Sequence, residues 1–424
     1  MMAPSTEHDV AIVGAGPVGL LLAGLLGQLG FRVLIVDKRL VSPAQSQAIG
    51  ITPPSLEILS RLGLDADFIR LGVPIRDCRV HGQRGYLGCV SFRDLPGPYR
   101  HILSLPQQLN VRLLEEKLTD FPGVTLRRGV EITAVEQAPD KVTLHGTDRL
   151  ITAKWVIACD GHRSRLRNLL KLRTTGGDYP CHFVMGDFTD RSGLKEEAHL
   201  FFTAQGAVES FPLPDGKRRW IVQSPGPLPD APNGFISRTV KQRTGLELSD
   251  EDQLNRGHFT PRWMHCAPYH SGRVILCGDA AHLMSPIGGQ GMNTGWADAE
   301  FVAEMLCAIE HQHQPAAPLL TAYHRYRRVA SRSATRRAAI GMWLGTRTGF
   351  FSSWWRDFFL TNVLFKGPLT RRLGPHFAML TIPYRTVKQL PVFLKFKLTA
   401  LNGRRPSPDF SPERTRKTHA HPRR

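Results

Sequence analysis

The residues with the clearest chemical spacing lie near the amino terminus, where Gly14, Gly16 and Gly19 directly follow an apolar run. In this spacing the first glycine permits a tight turn, the second lets the backbone approach a pyrophosphate, and the third lets a helix pack closely on a strand. Asp37 follows Gly19 by 18 residues, where a carboxylate would bind a ribose hydroxyl. The spacing therefore predicts a dinucleotide site and leaves FAD and NAD as alternatives.

The predicted elements around these glycines occur in the order that such a site needs. Residues 9–13 and 32–36 have the continuous apolar character of buried parallel strands, and residues 20–29 are predicted to form a buried helix that ends at Gly30. The start of that helix offers unpaired N–H groups and a positive dipole end to phosphates. The alternative, an ordinary glycine-rich loop, does not account for this order.

Two further motifs place an aspartate at the end of a predicted strand. Asp160 follows a strand over residues 153–159, and Asp279 follows a strand over residues 273–277. Open α/β sheets bind ligands at this edge, so both aspartates are candidate binding residues. Asp160 could instead cap the helix that follows it, and the sequence leaves that alternative open.

A glycine-rich run over residues 288–291 precedes a helix predicted over residues 294–309. The unpaired N–H groups at such a helix start attract anions, so the run would suit the pyrimidine edge of a flavin, which is negative when reduced. His282 lies shortly before this run. It is a candidate catalytic residue, with capping or packing of the loop as the alternative.

In chain order the three motifs are GAGPVG at residues 14–19, CDGHRSRLR at residues 159–167 and GDAAHLMSPIGGQGMN at residues 278–293. Together they resemble the signatures of the FAD-dependent aromatic monooxygenases, the group A flavoproteins with the para-hydroxybenzoate hydroxylase fold, over roughly residues 8–340. The resemblance implies an α/β protein. It would have a Rossmann-type FAD-binding domain, an inserted antiparallel β substrate domain and a C-terminal helical extension.

The predicted domains are discontinuous in sequence. The FAD-binding domain takes residues 1–73, 106–176 and 269–339, and the substrate-binding sheet takes residues 74–105 and 177–268. A basic, aromatic-rich helical extension follows over residues 340–401. Residues 402–424 are predicted to be a disordered tail because they are rich in proline and basic residues.

The resemblance also implies which residues bind FAD. They are Gly14, Gly16, Pro17, Val18, Gly19, Asp37, Lys38, Gln107, Arg112, Asp160, Gly161, Asp279, Gly289, Gln290, Gly291, Met292 and Asn293. Among them, Asp160 belongs to a motif associated with both FAD and the nicotinamide donor, Asp279 would bind the ribityl chain, and residues 289–293 would cradle the isoalloxazine.

Gln107 and Arg112 would lie near the flavin and the pyrophosphate, and Pro286 would line the cavity shared by flavin and substrate. One position departs from the family pattern. Gln47 stands where an arginine often lies beside the FAD, so either that contact is uncharged or another arginine makes it.

The implied activity is hydroxylation of an aromatic or quinone-like substrate with NADH or NADPH and O2. In that family the donor reduces the flavin, O2 forms a C4a-hydroperoxide, and the substrate ring attacks its distal oxygen while donors near the flavin stabilise the developing charge. A geranylgeranyl-reductase-like flavoprotein and a flavin halogenase are enzymatic alternatives, although the Trp-x-Trp-x-Ile-Pro motif of halogenases is absent. A membrane- or nucleic-acid-binding module with a flavin fold is the non-enzymatic alternative.

The segment over residues 177–268 is rich in predicted antiparallel strands. Three stretches alternate like strands, and a hairpin-turn signal separates the last two at Asp215-Gly216. The stretches are residues 199–202, 208–213 and 219–223. The segment has no compact charged cluster, and its aromatic side chains favour an apolar aromatic substrate, with a plain sheet core as the open alternative. These side chains are Phe183, Phe201, Phe211 and Trp220.

The net charge of +19 is confined to the last quarter of the chain. Residues 321–424 contain 22 basic and 3 acidic side chains, whereas residues 1–320 contain 33 of each. The same quarter holds 15 of the 35 aromatic side chains. Basic and bulky apolar residues at helical spacing are typical of an interfacial helix, so an anionic membrane surface is a predicted partner. Packing of this segment on the FAD-binding domain is the alternative, and no nucleic-acid-binding motif accompanies the charge.

The seven cysteines are scattered, without a Cys-x-x-Cys spacing. This argues against a disulfide framework and a metal site and favours a reducing compartment. The apolar stretch over residues 10–29 has acidic residues before it and glycines within it, unlike a signal peptide. These features predict a cytoplasmic protein, and the basic quarter adds contact with the inner face of the membrane as a hypothesis.

Overall fold

The computed structural model describes residues 7–41, 48–286, 288–367, 369–383 and 387. Gln47 and residues 402–424, which the sequence analysis singled out, lie outside these described residues. The chain divides into two units, Met1–Tyr384 and Arg385–Arg424, and every helix and strand named below belongs to the first.

The helices and strands of the described residues have the following bounds. The α-helices are α1 (Pro17–Gln28), α2 (Pro53–Ser60), α3 (Asp65–Leu71), α4 (Gln107–Leu118), α5 (Arg165–Leu169), α6 (Phe235–Thr244), α7 (Gln290–Glu310), α8 (Ala316–Gly345), α9 (Phe350–Phe359) and α10 (Thr370–Phe377). The strands are β1 (Glu7–Val13), β2 (Val33–Asp37), β3 (Gly50–Ile51), β4 (Val73–Ile75), β5 (Asp77–Gly82), β6 (Gly85–Ser91), β7 (Ile102–Ser104), β8 (Val124–Arg128), β9 (Ile132–Gln137), β10 (Val142–Gly146), β11 (Leu150–Ala158), β12 (Arg173–Asp178), β13 (His182–Thr189), β14 (Ala198–Thr203), β15 (Gly206–Leu213), β16 (Lys217–Ser224), β17 (Gly257–Phe259), β18 (Arg262–Ala267), β19 (His270–Ser271), β20 (Val274–Leu276) and β21 (His282–Leu283).

The largest sheet is mostly parallel and positions the three motifs. Its main strand order is β19-β20-β11-β1-β2-β8, and β10 and β9 continue antiparallel from β11. Val10 of β1 lies beside Val33 of β2 on one side and Trp155 of β11 on the other. Because β20, β11, β1 and β2 are parallel neighbours, the motif residues that follow these strands meet at one edge of the sheet.

A separate sheet of seven strands has the order β17-β13-β16-β15-β14-β5-β6. The three predicted strands of this region are β14, β15 and β16, and the last two form an antiparallel hairpin. Asp215 and Gly216 turn the hairpin with φ angles of 59° and 63°, a left-handed backbone that suits this residue pair. The predicted fold class, a Rossmann-type α/β domain with an inserted antiparallel sheet and C-terminal helices, is confirmed.

Two helices begin earlier than predicted. α1 begins at Pro17 rather than residue 20, since the fixed φ of proline suits the first helical position. α7 begins at Gln290 rather than residue 294, because its N-cap Gly289 adopts a φ of 63° that ends the preceding loop. Both helix starts therefore lie inside the glycine motifs rather than after them.

The C-terminal helices are continuous with the rest of the first unit. The predicted domain boundary between residues 339 and 340 falls inside α8, an unbroken helix of 30 residues. After α9, a π-helical turn over Leu360–Leu364 leads towards α10. In the part of the chain that the structure describes, none of the helices combines the length and the apolar composition needed to cross a bilayer.

Candidate functional site

The loop after β1 contains three glycines with three different steric requirements. Gly14 has a φ of 109°, and a Cβ atom there would lie 2.3 Å from the Cys159 carbonyl oxygen. A Cβ atom at Gly19 would lie 2.0 Å from the Gly14 carbonyl oxygen. At Gly16 the φ is −84°, and no neighbouring atom of the described residues lies within 4 Å of the Cβ position. The fold thus requires the first and third glycines, whereas Gly16 faces open space that a ligand could fill.

The start of α1 presents its N–H groups at the same place. Its N-cap, Gly16, has no side chain to occupy them, and the first turn carries no acidic residue. An uncapped helix start favours an anion such as a pyrophosphate, because the exposed N–H groups and the helix dipole both attract negative charge.

Asp37 holds the glycine loop from the neighbouring strand. Its carboxylate accepts hydrogen bonds from the Ala15 N–H at 2.9 Å and from the Arg39 N–H at 2.8 Å. Burial opposes ionisation of this group, but the hydrogen bonds from Arg39 and Ala15 outweigh burial and lower the pKa of Asp37. The side chain is therefore an oriented, ionised acceptor at the end of β2, as a ribose hydroxyl would require.

Asp160 stabilises the start of α5 with one carboxylate oxygen, whereas binding of a ligand by the other oxygen stays a prediction. Its Oδ2 atom accepts hydrogen bonds from the Arg165 N–H at 2.7 Å and the Leu166 N–H at 3.2 Å, so it caps α5. Its Oδ1 atom is buried and has no hydrogen-bond partner among the described residues. Burial raises the pKa of this carboxyl. An unpartnered buried oxygen is costly, and a ligand donor at this place would remove the cost.

The start of α7 has the same form as that of α1. Gly288 and Gly289 have φ angles of 83° and 63°, and neither a side-chain cap nor an acidic residue occupies the first turn. Gln290 is buried, and its Oε1 atom lacks a hydrogen-bond partner within the described ranges. The helix start is therefore a second anion-seeking site, with a buried amide oxygen beside it.

Asn293 shapes this second site through its own amide group. Its Oδ1 accepts a hydrogen bond from the Thr52 N–H at 3.0 Å, and its Nδ2 donates to the Gly50 and Gly289 carbonyl oxygens at 3.0 and 2.6 Å. Met292, which precedes Asn293 in the chain, accepts a hydrogen bond through its sulfur atom from the Asn110 side chain of α4. Asn293 thus fastens the glycine-rich loop to β3, and its amide is engaged by the protein itself.

His282 lies in a buried network that the sequence did not reveal. Its Nε2 atom is 2.6 Å from Asp298 Oδ2, while Asp298 Oδ1 accepts a hydrogen bond from Arg327 at 2.5 Å. Asp298 also accepts from the Gly278 N–H at 3.1 Å. Burial opposes ionisation, but His282 and Arg327 outweigh burial and lower the pKa of Asp298. This network holds the third motif in place, and a catalytic role of His282 stays a prediction.

Arg167 is a second functional residue that sequence reasoning missed. It belongs to the second motif, is buried, and donates to the His162 carbonyl oxygen at 2.8 Å and to the Ala280 carbonyl oxygen at 3.0 Å. It therefore ties the second motif to the third. The sequence did contain a signal for this residue, because Arg167 is the last residue of the CDGHRSRLR motif.

Of the remaining predicted residues, Pro286 lies directly beside the start of α7, because its carbonyl oxygen accepts a hydrogen bond from the Gly289 N–H at 2.9 Å. Gln107 begins α4 and accepts a hydrogen bond from the Ala48 N–H at 3.3 Å. Arg112 is largely exposed and pairs with Glu116 at 2.7 Å, so a pyrophosphate contact would require it to leave that partner. Pro286 and Lys38 are exposed. Burial raises the pKa of Asp279, and a hydroxyl-bearing ligand would stabilise that carboxyl.

The inserted sheet contains two buried ion pairs that the sequence analysis did not predict. Arg219 pairs with Asp187 at 2.7 Å and Arg218 pairs with Asp190 at 2.7 Å, and both arginines are buried. Because Arg218 and Arg219 are adjacent in β16, their side chains point to opposite faces of the sheet. Each partner lies about 30 residues away in sequence, which is why no cluster is visible in the sequence.

The aromatic side chains of this sheet belong mainly to its core. Trp220 and Phe201 pack with Ile236 and Val240 of α6, and Phe183 stacks on the ring of Phe259 at 5.3 Å. The structure thus supports the plain-core alternative for these three rings.

Glu209 is a buried carboxyl in the same sheet that the sequence did not single out. It stands in β15 directly opposite Leu200 of β14 and Ile221 of β16, two apolar neighbours on the same face. Burial raises its pKa from 4.5 to about 7. The group is therefore protonated in the folded protein under mildly acidic conditions in which an exposed glutamate is ionised.

Replacing Glu209 with glutamine is expected to stabilise the fold above neutral pH. As the pH rises from 4.5 to about 7, the unfolded chain releases this proton while the folded chain keeps it, so the parent protein loses stability. At about 1.4 kcal/mol per tenfold change in proton affinity, the loss reaches at most about 3 kcal/mol. Urea unfolding at several pH values measures it. The exposed Glu196→Gln variant retains Glu209 and should lose stability with rising pH as the parent does, whereas parallel curves for parent and Glu209→Gln would contradict the assignment.

The residues present fit a bound flavin dinucleotide on three observations. The space beside Gly16 is open, and the α1 and α7 starts are uncapped. The buried Asp160 Oδ1 and Gln290 Oε1 atoms lack partners in the described residues. All of these groups belong to the three motifs, and the strand order brings them to one edge of the large sheet.

Comparison with known proteins agrees with this geometry. Residues 7–338 match the family model described as FAD binding domain. Rifampicin monooxygenase from Streptomyces venezuelae is 31% identical over 328 residues, which cover 74% of this chain and 67% of that protein. For 6-methylpretetramide 4-monooxygenase from Streptomyces rimosus the identity is 30% over 315 residues, covering 72% of this chain and 56% of that protein.

A solved structure shows the same architecture. The crystal structure of p-nitrophenol 4-monooxygenase from Pseudomonas putida superposes with a TM-score of 0.81 at 25% identity, covering 90% of this chain and 100% of that chain. The relatives named here are monooxygenases, so the reductase and halogenase alternatives are not favoured. The chain spans only 56% of the length of the Streptomyces rimosus relative.

Proposed function

Because the chain belongs to the family of FAD-dependent aromatic monooxygenases of the para-hydroxybenzoate hydroxylase type, we propose that it hydroxylates a lipophilic aromatic or quinone-like substrate. The electron donor is NADH or NADPH. In the balanced reaction, Ar–H, O2, NAD(P)H and one proton give Ar–OH, NAD(P)+ and water. When bound, FAD supplies the redox chemistry that activates O2.

The observation that carries the proposal is the pair of uncapped helix starts at one edge of the sheet. The backbone N–H groups of residues 14–19 would hold the pyrophosphate, and Asp37 would bind the adenosine ribose. Asp279 would bind the ribityl chain. The N–H groups at the start of α7 would stabilise negative charge on the isoalloxazine, and residues 289–293 would cradle it.

The protein's own residues orient the reactants rather than form a second catalytic centre. Asn293 fixes the loop of residues 288–291 against β3, and Arg167 fixes the loop that contains Ala280. Pro286 would line the cavity that receives the substrate. His282 is kept as a candidate catalytic residue, since its Nδ1 atom lacks a partner in the described part of the chain.

An oxygen-electrode assay with NADH or NADPH against a panel of phenols, quinolones and quinones tests this function. We expect steady O2 uptake only with a cognate substrate, and a product that carries one atom from isotopically labelled O2. Substrate reduction without O2 uptake would assign a reductase instead. If no member of the panel stimulated oxidation of NADH or NADPH by the FAD-loaded protein, the non-enzymatic alternative would replace the proposal.

A further inference from the structure

The outer side of α9 is almost entirely aromatic. Six large rings of this helix are exposed to solvent, with Phe351 at 81% and Trp355 at 63% of their maximum accessible area. We call these rings the aromatic face: Phe350, Phe351, Trp354, Trp355, Phe358 and Phe359. An exposed apolar patch of this size is rare on a protein that works without a partner surface, so something is expected to cover it.

The inner side of α9 is polar, which reverses the usual arrangement of a surface helix. Arg356 is buried and donates hydrogen bonds to the Phe202 and Arg347 carbonyl oxygens. Asp357 pairs with Arg356 and accepts a hydrogen bond from the Gln83 N–H at 2.8 Å. Surface helices normally bury their apolar side. Here the polar side attaches the helix to the protein and leaves the apolar side facing outward.

The preceding helix, α8, has an exposed row of its own, in which cationic and apolar side chains alternate. From Arg325 onward, the exposed residues of α8 and one residue just after the helix follow helical spacing, and we call them the basic stripe: Arg325, Val329, Arg332, Arg336, Ile340, Trp343 and Arg347. The guanidinium carbon of Arg347 lies 4.0 Å from the centre of the Trp343 ring. Between residues 321 and 383 the sequence contains 11 basic residues and one acidic residue, the inward Asp357.

We infer that the aromatic face and the basic stripe together bind the surface of an anionic lipid bilayer. Tryptophan and phenylalanine rings insert at the boundary between headgroups and acyl chains, and arginines beside them pair with lipid phosphates. The charge argues against a second copy of this chain as the occupant, because two such surfaces would bring like charges together. The inference concerns where the protein lies and is independent of the reaction that it catalyses.

Flotation of the full-length, FAD-loaded protein with lipid vesicles tests this inference. Vesicles of phosphatidylcholine alone are compared with vesicles that contain equal parts of phosphatidylcholine and phosphatidylglycerol. We expect binding to the anionic vesicles that weakens as salt screens the charges. The Phe351→Ser/Trp355→Ser variant should bind roughly tenfold more weakly or worse, because it loses two inserted rings. Leu254→Ser, an equally apolar exposed site at 52% accessibility outside both surfaces, should bind like the parent.

A second pair of variants tests the basic stripe. Arg332→Gln/Arg336→Gln should weaken binding to anionic vesicles by roughly tenfold or more and flatten its salt dependence, whereas Lys141→Gln/Lys171→Gln, which removes the same charge elsewhere, should not. Absence of vesicle binding by the parent would overturn the inference. So would binding that is unaffected by the aromatic variant, or a dimer in solution that the aromatic variant dissociates. Substrate turnover is not needed for any of these readouts, so a failed activity assay leaves them interpretable.

Discussion

A Gly16→Ala variant should fold like the parent protein and lose most of its affinity for FAD. The backbone at Gly16 has a φ of −84°, which alanine adopts freely, and no neighbouring atom of the described residues lies within 4 Å of the new Cβ position. The added methyl group therefore meets only the ligand. It would displace a pyrophosphate from the α1 N–H groups, so we expect FAD affinity to fall at least about a hundredfold, which corresponds to about 3 kcal/mol.

Fluorescence titration of the apoprotein with FAD measures this loss, and urea unfolding without FAD checks the fold. Gly19→Ala is the matched comparison, since its Cβ atom would lie 2.0 Å from the Gly14 carbonyl oxygen. That variant should destabilise the apoprotein itself, by about 3 kcal/mol or more. Retention of parental FAD affinity by Gly16→Ala would show that the pyrophosphate binds elsewhere.

The second large effect is expected from Asp298→Ala, which should lower the free energy of unfolding by about 3–5 kcal/mol. Asp298 is fully buried and accepts hydrogen bonds from His282, Arg327 and the Gly278 N–H. Its removal leaves the Arg327 guanidinium buried without a counter-charge. Urea denaturation at neutral pH measures the change. FAD binding should weaken as well, because Gly278 begins the third motif.

The double variant Asp298→Ala/Arg327→Met separates the charge effect from simple loss of packing. Removing both charges should recover a substantial part of the stability, since the uncompensated cation is gone. His282 and Arg327 hold the pKa of Asp298 below its usual value despite burial. The ionised carboxylate therefore stabilises the fold near neutral pH. This stabilisation should disappear as the pH falls through the lowered pKa of Asp298. Equal stability of the single and double variants would contradict the proposed role of this pair.

The fold and the main binding elements could be predicted because their signals are local. The glycines of residues 14–19 directly follow a buried strand. Their spacing alone predicts the tight turn, the pyrophosphate contact and the close packing of helix on strand. The hairpin at Asp215-Gly216 was predictable for the same reason, since both residues tolerate a left-handed backbone. The helix starts at Pro17 and Gln290 were placed a few residues too late, because the glycine motifs themselves contain them.

The buried polar residues could not be predicted because their partners are distant in sequence. Nothing in the sequence distinguishes Arg327 from its neighbours Arg325 and Arg328. Of these three arginines, only Arg327 pairs with Asp298, which lies 29 residues earlier. Glu209 gave no signal, since burial of a carboxyl depends on which face of β15 the sheet covers. The amphipathic character of α9 was visible as alternating rings and polar residues, whereas its direction, with Arg356 inward and the rings outward, required the tertiary structure.

The basic stripe runs along most of α8, so a bilayer that binds it would lie alongside this helix rather than at its end. Arg325 of the stripe is two residues from Arg327, which belongs to the network that holds the third motif. An α-helix with its side chains is about 10–12 Å across. The third motif would therefore lie roughly one helix diameter beyond the stripe. A lipophilic substrate that leaves the bilayer would have only a short distance to travel to the flavin loop.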